Sequence, residues 1–240
     1  MREPAVEPQG MVDGVTLVCF ALPEEAAPFR RLFQETNRIH CLVTGIGKEN
    51  ARRLFKQWLE ARPRAEVHPA RVLTCGFAGG LHPELKLGEV LFETADPALA
   101  QSLKASGARP GTFLCSDRVL VSVAEKREAY LKTQADAVEM ESAAIQALCR
   151  DAGIPCATVR VISDTAGEDL PLDFNALSKP DKNLDYGRLL LAVGKAPWKI
   201  PELLALRKKT NHAAGQLALV LESVIAGHPA PAPGEGRASP

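Results

Sequence analysis

A chain of 240 residues with 29 basic and 29 acidic side chains carries no net field to gather nucleic acid or an anionic membrane surface. Its 46% hydrophobic and 24% charged content is ordinary for a soluble globular protein, enough core for one large α/β domain or two small ones. The six cysteines (19, 41, 75, 115, 149 and 156) form no Cys-x-x-Cys and sit mostly in apolar runs, which points to reduced thiols in a cytoplasmic protein. The five histidines show no pair at ligand spacing, so no metal and no other cofactor is expected. No apolar run approaches the roughly 20 residues of a membrane span.

Residues 1–14 are polar and proline-containing, without the apolar core of a signal peptide, and read as a disordered leader. Residues 15–22 form an apolar strand, and Pro23-Glu24-Glu25 opens a helix with Phe29, Leu32 and Phe33 at helical spacing. Glu24 and Glu25 either complement that helix's dipole or do chemistry. A second strand over 39–44 leads through Gly45-Ile46-Gly47 into a helix over 48–61. Those glycines allow a tight turn or a close approach to a ligand, but Asn50 stands where a dinucleotide fingerprint needs its third glycine. A third strand over 71–75 ends in Gly76-Phe77-Ala78-Gly79-Gly80-Leu81, read as a turn that meets an anion or sugar or needs positive φ.

Strands over 88–93 and 111–115 and helices over 98–106 and 124–132 follow. After residue 164 come a polar loop, an apolar patch over 170–174 and helices over 183–193 and 201–225, broken near Ala196-Pro197-Trp198. Leu203, Leu204, Leu206, Leu217, Leu219, Val220 and Leu221 are expected to be core. A Pro/Ala/Gly-rich tail over 227–240 is expected to be disordered. Strands alternate with helices throughout. The expected fold is therefore a single α/β domain over 15–226, with a mixed, mostly parallel sheet between helical layers.

Two stretches stand out chemically. Residues 137–144, Ala-Val-Glu-Met-Glu-Ser-Ala-Ala, place acids where a buried strand turns into a helix. The strand over 156–164 is apolar and β-branched, carries Arg160, and ends on Ser163-Asp164. Charges at the ends of buried strands are costly to desolvate, so they call for a ligand or a partner. Glu139, Met140, Glu141, Arg160 and Asp164 are expected to line one site.

In sequence, these two motifs resemble the purine nucleoside phosphorylase/uridine phosphorylase superfamily, most nearly its methylthioadenosine/S-adenosylhomocysteine nucleosidases. Ala-Leu-Pro-Glu-Glu (21–25), Thr-Gly-Ile-Gly-Lys (44–48) and Gly-Phe-Ala-Gly-Gly-Leu (76–81) fall in the family's order, so the likeness covers about two-thirds of the chain. The resemblance implies a three-layer nucleoside phosphorylase-like fold and cleavage of an N-glycosidic bond in a purine nucleoside. It assigns Glu141 to the ribose hydroxyls, with Met140 against the sugar and Glu139 nearby. Asp164, held by Ser163, is the acid for the departing purine, and burial would raise its pKa. Glu25 orients the attacking water, with Arg160 beside it; in phosphorylases that arginine lies near phosphate. Ile46 and Phe174 border the 5′ end, and Gly79 belongs to the glycine-rich segment of the site.

Three departures accompany the likeness. Phe77 stands where nucleosidases usually carry a small hydroxyl residue. Val119 and Leu120 replace an aromatic that stacks on adenine. A helical insertion over about 179–211 resembles a hopanoid-associated phosphorylase-like branch. The expected partners are a small nucleoside, with phosphate as the alternative co-substrate, and a second copy in a homodimer. A nucleoside-binding protein with weak catalysis is the competing reading.

Overall fold

The computed structural model describes residues 14–33, 36, 38–61, 69–177 and 194–227. The expected leader (apart from Gly14), the helix over 183–193 and the tail beyond Gly227 lie outside the described residues. The strands are β1 (Thr16–Phe20), β2 (Ile39–Val43), β3 (Arg71–Gly80), β4 (Val90–Thr94), β5 (Arg109–Pro110), β6 (Phe113–Cys115), β7 (Ala137–Glu139) and β8 (Cys156–Asp164). The helices are α1 (Pro23–Leu32), α2 (Lys48–Glu60), α3 (Pro97–Ala105), α4 (Val123–Thr133), α5 (Ser142–Asp151) and α6 (Ile200–Ala226), the last preceded by a 3₁₀ turn over Pro197–Lys199.

One sheet runs in the order β2-β1-β3-β8-β4-β5, with β7 paired to the end of β3 and β6 paired to β7. Pairing is parallel from β2 through β1 and β3 to β8, whereas β4 runs antiparallel to β8 but parallel to β5, and β7 antiparallel to β3 but parallel to β6. This is the mixed α/β sheet expected. Alternation along β1 explains why both faces need helices. Val18 and Phe20 join one cluster with Phe29 of α1, Leu103 of α3 and Leu217 and Leu221 of α6. Leu17 and Cys19 join a second with Phe55 of α2 and Ile145 of α5. A strand buried on both sides is expected to be apolar along its length, as β1 is from Leu17 to Phe20, and the hydroxyl of Thr16 at its start accepts from Arg71 Nε.

Two expectations need correction. The glycine-rich stretch after Cys75 is not a turn, because β3 continues to Gly80 while pairing with β8 and then β7. The register slips between Ala78 and Gly79, so Ser163 of β8 is an extra residue without an opposite number, a β-bulge. Leu204 and Leu219 are exposed, not core, because they project from the outer face of α6 while Leu217 and Leu221 turn inward. The helix expected over 201–225 is present as α6, which runs from Ile200 to Ala226 and includes residues 200–211 of the expected insertion.

Helix starts decide where the acids sit. Pro23 takes the first position of α1, and the Glu25 carboxylate receives the N–H of Leu22, which precedes the helix. Glu24, one residue earlier, is exposed, so the pair divides into a solvated acid and a buried one. Glu139 does the same for α5, accepting the N–H groups of Glu141 and Ser142.

Candidate active site

The carboxyl ends of β1, β3, β7 and β8 open onto one cavity of about 470 Å³. That is where an open α/β sheet receives ligands. Four carboxylates reach it: Glu25, Glu139, Glu141 and Asp164. The rest of the predicted set lines the wall too: Met140, Ser163, Phe77, Gly79, Val119, Leu120, Phe174 and Ile46. Arg160 differs from the expectation. It is 1% exposed and not on the wall, lying behind the carboxylates.

Arg160 organises one half of the site. Its Nη2 lies 2.6 Å from Glu139 and 3.4 Å from Glu141, and its Nη1 donates to the Cys75 carbonyl at 3.2 Å. Its buried Nε has no hydrogen-bond partner among the described residues. Burial weakens the guanidinium's hold on its proton, but Glu139, Glu141 and Glu25 outweigh that and strengthen it. Glu139 is buried as well, yet Arg160, Ser142 Oγ at 2.7 Å and two helix N–H groups hold it below the usual carboxylate range. Its bonds are all internal, which makes it the anchor of the cluster.

Glu141 is poised differently. Its Oε1 accepts only the N–H of Gly47, at 2.9 Å. Burial, opposed by Arg160 and reinforced by the charges of Glu139 and Glu25, pushes its pKa up to about 7. The backbone approach that Gly45-Ile46-Gly47 permits is thus to Glu141, with Gly47 at a φ of +88°. Glu25 accepts three backbone N–H groups: Ala21 at 3.0 Å, Leu22 at 2.9 Å and Phe77 at 2.8 Å. Burial raises its pKa, against the opposing pull of Arg160 and those N–H groups.

Across the cavity, Asp164 Oδ1 accepts from Ser163 Oγ at 2.7 Å and Oδ2 lies 2.6 Å from Lys126 Nζ. Nothing in the sequence singles out Lys126 as a neighbour of this acid. That side chain is fully buried and comes from α4, a helix whose charge-rich sequence reads as a solvated surface. The wall at Val119 is braced by Asn175, which accepts the Val119 N–H and donates to the Val119 carbonyl, both at 2.9 Å. Leu206 and Thr210 of α6 also line the cavity, so this helix is part of the site and not only of the core. A pocket-facing leucine and a core leucine carry the same sequence signal, which is why the former went unread.

Among the described residues no helix is long and apolar enough to cross a membrane, and no cluster of His, Cys, Asp and Glu could hold a metal ion.

With this geometry in place, comparison with known proteins is informative. The profile of the phosphorylase superfamily matches residues 91–186. A 5′-methylthioadenosine/S-adenosylhomocysteine nucleosidase of Bacillus cereus is 28% identical over 169 residues, covering 56% of this chain and 71% of that protein. Over residues 91–186 the chain is thus similar to the phosphorylase superfamily. Superposition on solved structures supports the same fold. The futalosine hydrolase of Helicobacter pylori aligns with a TM-score of 0.66 at 19% identity, covering 88% of this chain and 97% of its own. A methylthioadenosine/S-adenosylhomocysteine nucleosidase of Neisseria meningitidis, solved with methylthio-immucillin-A, aligns at 0.64 with 20% identity, covering 89% and 99%.

Proposed function

We propose that this protein hydrolyses the N-glycosidic bond of a purine nucleoside of the methylthioadenosine/S-adenosylhomocysteine kind. Breaking that bond leaves positive charge on the ribose and moves an electron pair onto the purine. Glu141, the least engaged carboxylate on the sugar side, accepts hydrogen bonds from ribose hydroxyls and offsets the growing cation. Asp164 gives a proton to the departing base, so that the base leaves neutral. Glu25, steered by three N–H groups, accepts a hydrogen bond from the water that attacks the anomeric carbon and takes its proton. Met140 packs against the sugar, Val119 and Leu120 flank the base, and Ile46 and Phe174 border the 5′ substituent.

One observation favours water over phosphate. The guanidinium of Arg160 is already committed to Glu139, Glu141 and the Cys75 carbonyl, with the Glu25 charge close by. A phosphate dianion there would meet several carboxylates, a repulsion that a neutral water escapes. Both terminal nitrogens of the guanidinium are already taken and, among the described residues, only its buried Nε is free. The test is to incubate the protein with methylthioadenosine, S-adenosylhomocysteine, adenosine and inosine, with and without phosphate. Free base and the matching unphosphorylated sugar (methylthioribose from methylthioadenosine, ribose from adenosine) form at equal rates in both conditions. The corresponding sugar 1-phosphate appearing only with phosphate would convert the reading to phosphorolysis, and no base from any substrate would remove it.

Within the same reading, Asp164→Asn slows purine release by about 10² or more, while the circular dichroism spectrum stays that of the parent. Unchanged turnover would take Asp164 out of the mechanism.

A further inference from the structure

Lys126 is the least expected charge in the molecule. It is wholly buried, and its three ammonium protons have three acceptors: Asp164 Oδ2 at 2.6 Å, the Thr165 carbonyl at 2.9 Å and the Glu168 carbonyl at 2.7 Å. A buried ammonium is tolerated only when paired and fully hydrogen-bonded, and this one is. The Glu168 carboxylate, the next acid along the loop, is occupied by Lys209 of α6 at 2.6 Å and does not compete for Lys126. Ser163 holds the other oxygen of Asp164. Every partner of Lys126 thus lies on the segment that carries the acid, and none lies on the Arg160 cluster.

We propose that Lys126 is the positioning and charge partner of Asp164, acting when the leaving base is protonated. This rests on the hydrolase reading above. As the C–N bond of the nucleoside breaks, its electron pair passes to the purine and the proton of Asp164 follows it. A carboxylate is left on Asp164, and the ammonium 2.6 Å away neutralises it without any side chain having to move. The two carbonyl bonds fix Lys126 to the loop after β8, so that the carboxyl is aimed at the cavity before substrate arrives. Lys126 touches no substrate. Its effect passes entirely through Asp164.

The discriminating probe is a leaving group that needs no proton. 4-Nitrophenyl β-D-riboside releases a stable phenolate, so its hydrolysis draws on the sugar half of the site but not on the acid. The measurement is the ratio of kcat/KM on methylthioadenosine to that on the nitrophenyl riboside, for the parent protein, Lys126→Met, Lys126→Arg and Asp164→Asn. In Lys126→Met the ratio falls by about 10², in parallel with Asp164→Asn, while Lys126→Arg keeps most of it. Both rates come from one preparation, so a partly unfolded population cancels. Should the methionine variant be insoluble, Lys126→Gln is read in the same way. A parent active on both substrates with an unchanged ratio in Lys126→Met overturns the role and leaves the hydrolase reading standing. A parent that cleaves neither overturns the hydrolase reading itself.

Discussion

At pH 8, Glu141→Gln unfolds at a higher urea concentration than the parent protein while cleaving nucleosides about 10²–10³ times more slowly. Both effects have one origin. Glu141 is buried beside Glu139 and Glu25, and its pKa is raised from 4.5 to about 7. A carboxyl whose pKa is higher in the folded than in the unfolded state favours folding while it stays protonated. That advantage is complete below about pH 4.5 and disappears as pH rises through about 7. Above that range the native protein carries a buried charge that the unfolded chain holds in water, at a cost on the order of 3 kcal/mol. Glutamine keeps an oxygen for the Gly47 N–H and removes the charge, so the gain over the parent grows from pH 5 to pH 7 and then levels off. On the proposed hydrolase reading, the catalytic loss follows because a neutral amide offsets the ribosyl cation far less well than a carboxylate. Urea titrations at pH 5 and pH 8 with matched assays decide the matter, and equal stability of the two proteins at pH 8 would count against a strained Glu141.

Gly76→Ala is expected to be the most damaging single methyl group in the protein. Gly76 has a φ of +148°, and a Cβ there would lie 2.6 Å from Arg160 Nη1 and 2.7 Å from Glu25 Oε1. Neither neighbour can withdraw cheaply. Glu25 is fixed by three N–H groups, and Arg160 by Glu139 and the Cys75 carbonyl. Moving either would strand a buried charge, so the substitution costs about 3–5 kcal/mol of stability. The fraction that still folds has Glu25 and Arg160 pushed apart and loses about 10² or more in turnover. Denaturation midpoints and assays normalised to folded protein measure the two losses separately. An alanine variant with the parent's stability and rate would show that the acid and the guanidinium do not meet over this residue.

Gly76 also illustrates what could be read from sequence. The alternation of strands and helices, the double-sided burial of β1 and the acids at the β7–α5 junction were legible because hydrophobic periodicity reports them directly. Arg160 was legible as well, since an arginine within an apolar strand has nowhere to hide. The glycines after Cys75 were misread as a turn, because glycine signals conformational freedom in a turn and close approach in a strand alike. Lys126 was missed for a different reason. In Glu125-Lys126-Arg127-Glu128 every residue looks equally solvated, and only the docking of α4 over the 165–169 loop selects one of them for burial. Leu206 and Leu204 are two residues apart with the same side chain, yet one lines the cavity and the other meets solvent. Which side of α6 faces the site is a fact of tertiary packing.

The extra residue in β8 has a consequence for how this site can diverge. In an unbroken strand, consecutive residues point to opposite layers, yet Ser163 and Asp164 both reach the cavity. The bulge is what allows it. Upstream, Arg160 is locked by regular pairing with β3 and β4. Downstream, Asp164 takes its position from Ser163 and Lys126 instead. One strand therefore carries two mechanically separate stations. On the proposed reading, substitutions in α4 or in the loop after β8 can re-aim the acid toward a different leaving group while the side chains around the sugar keep their register.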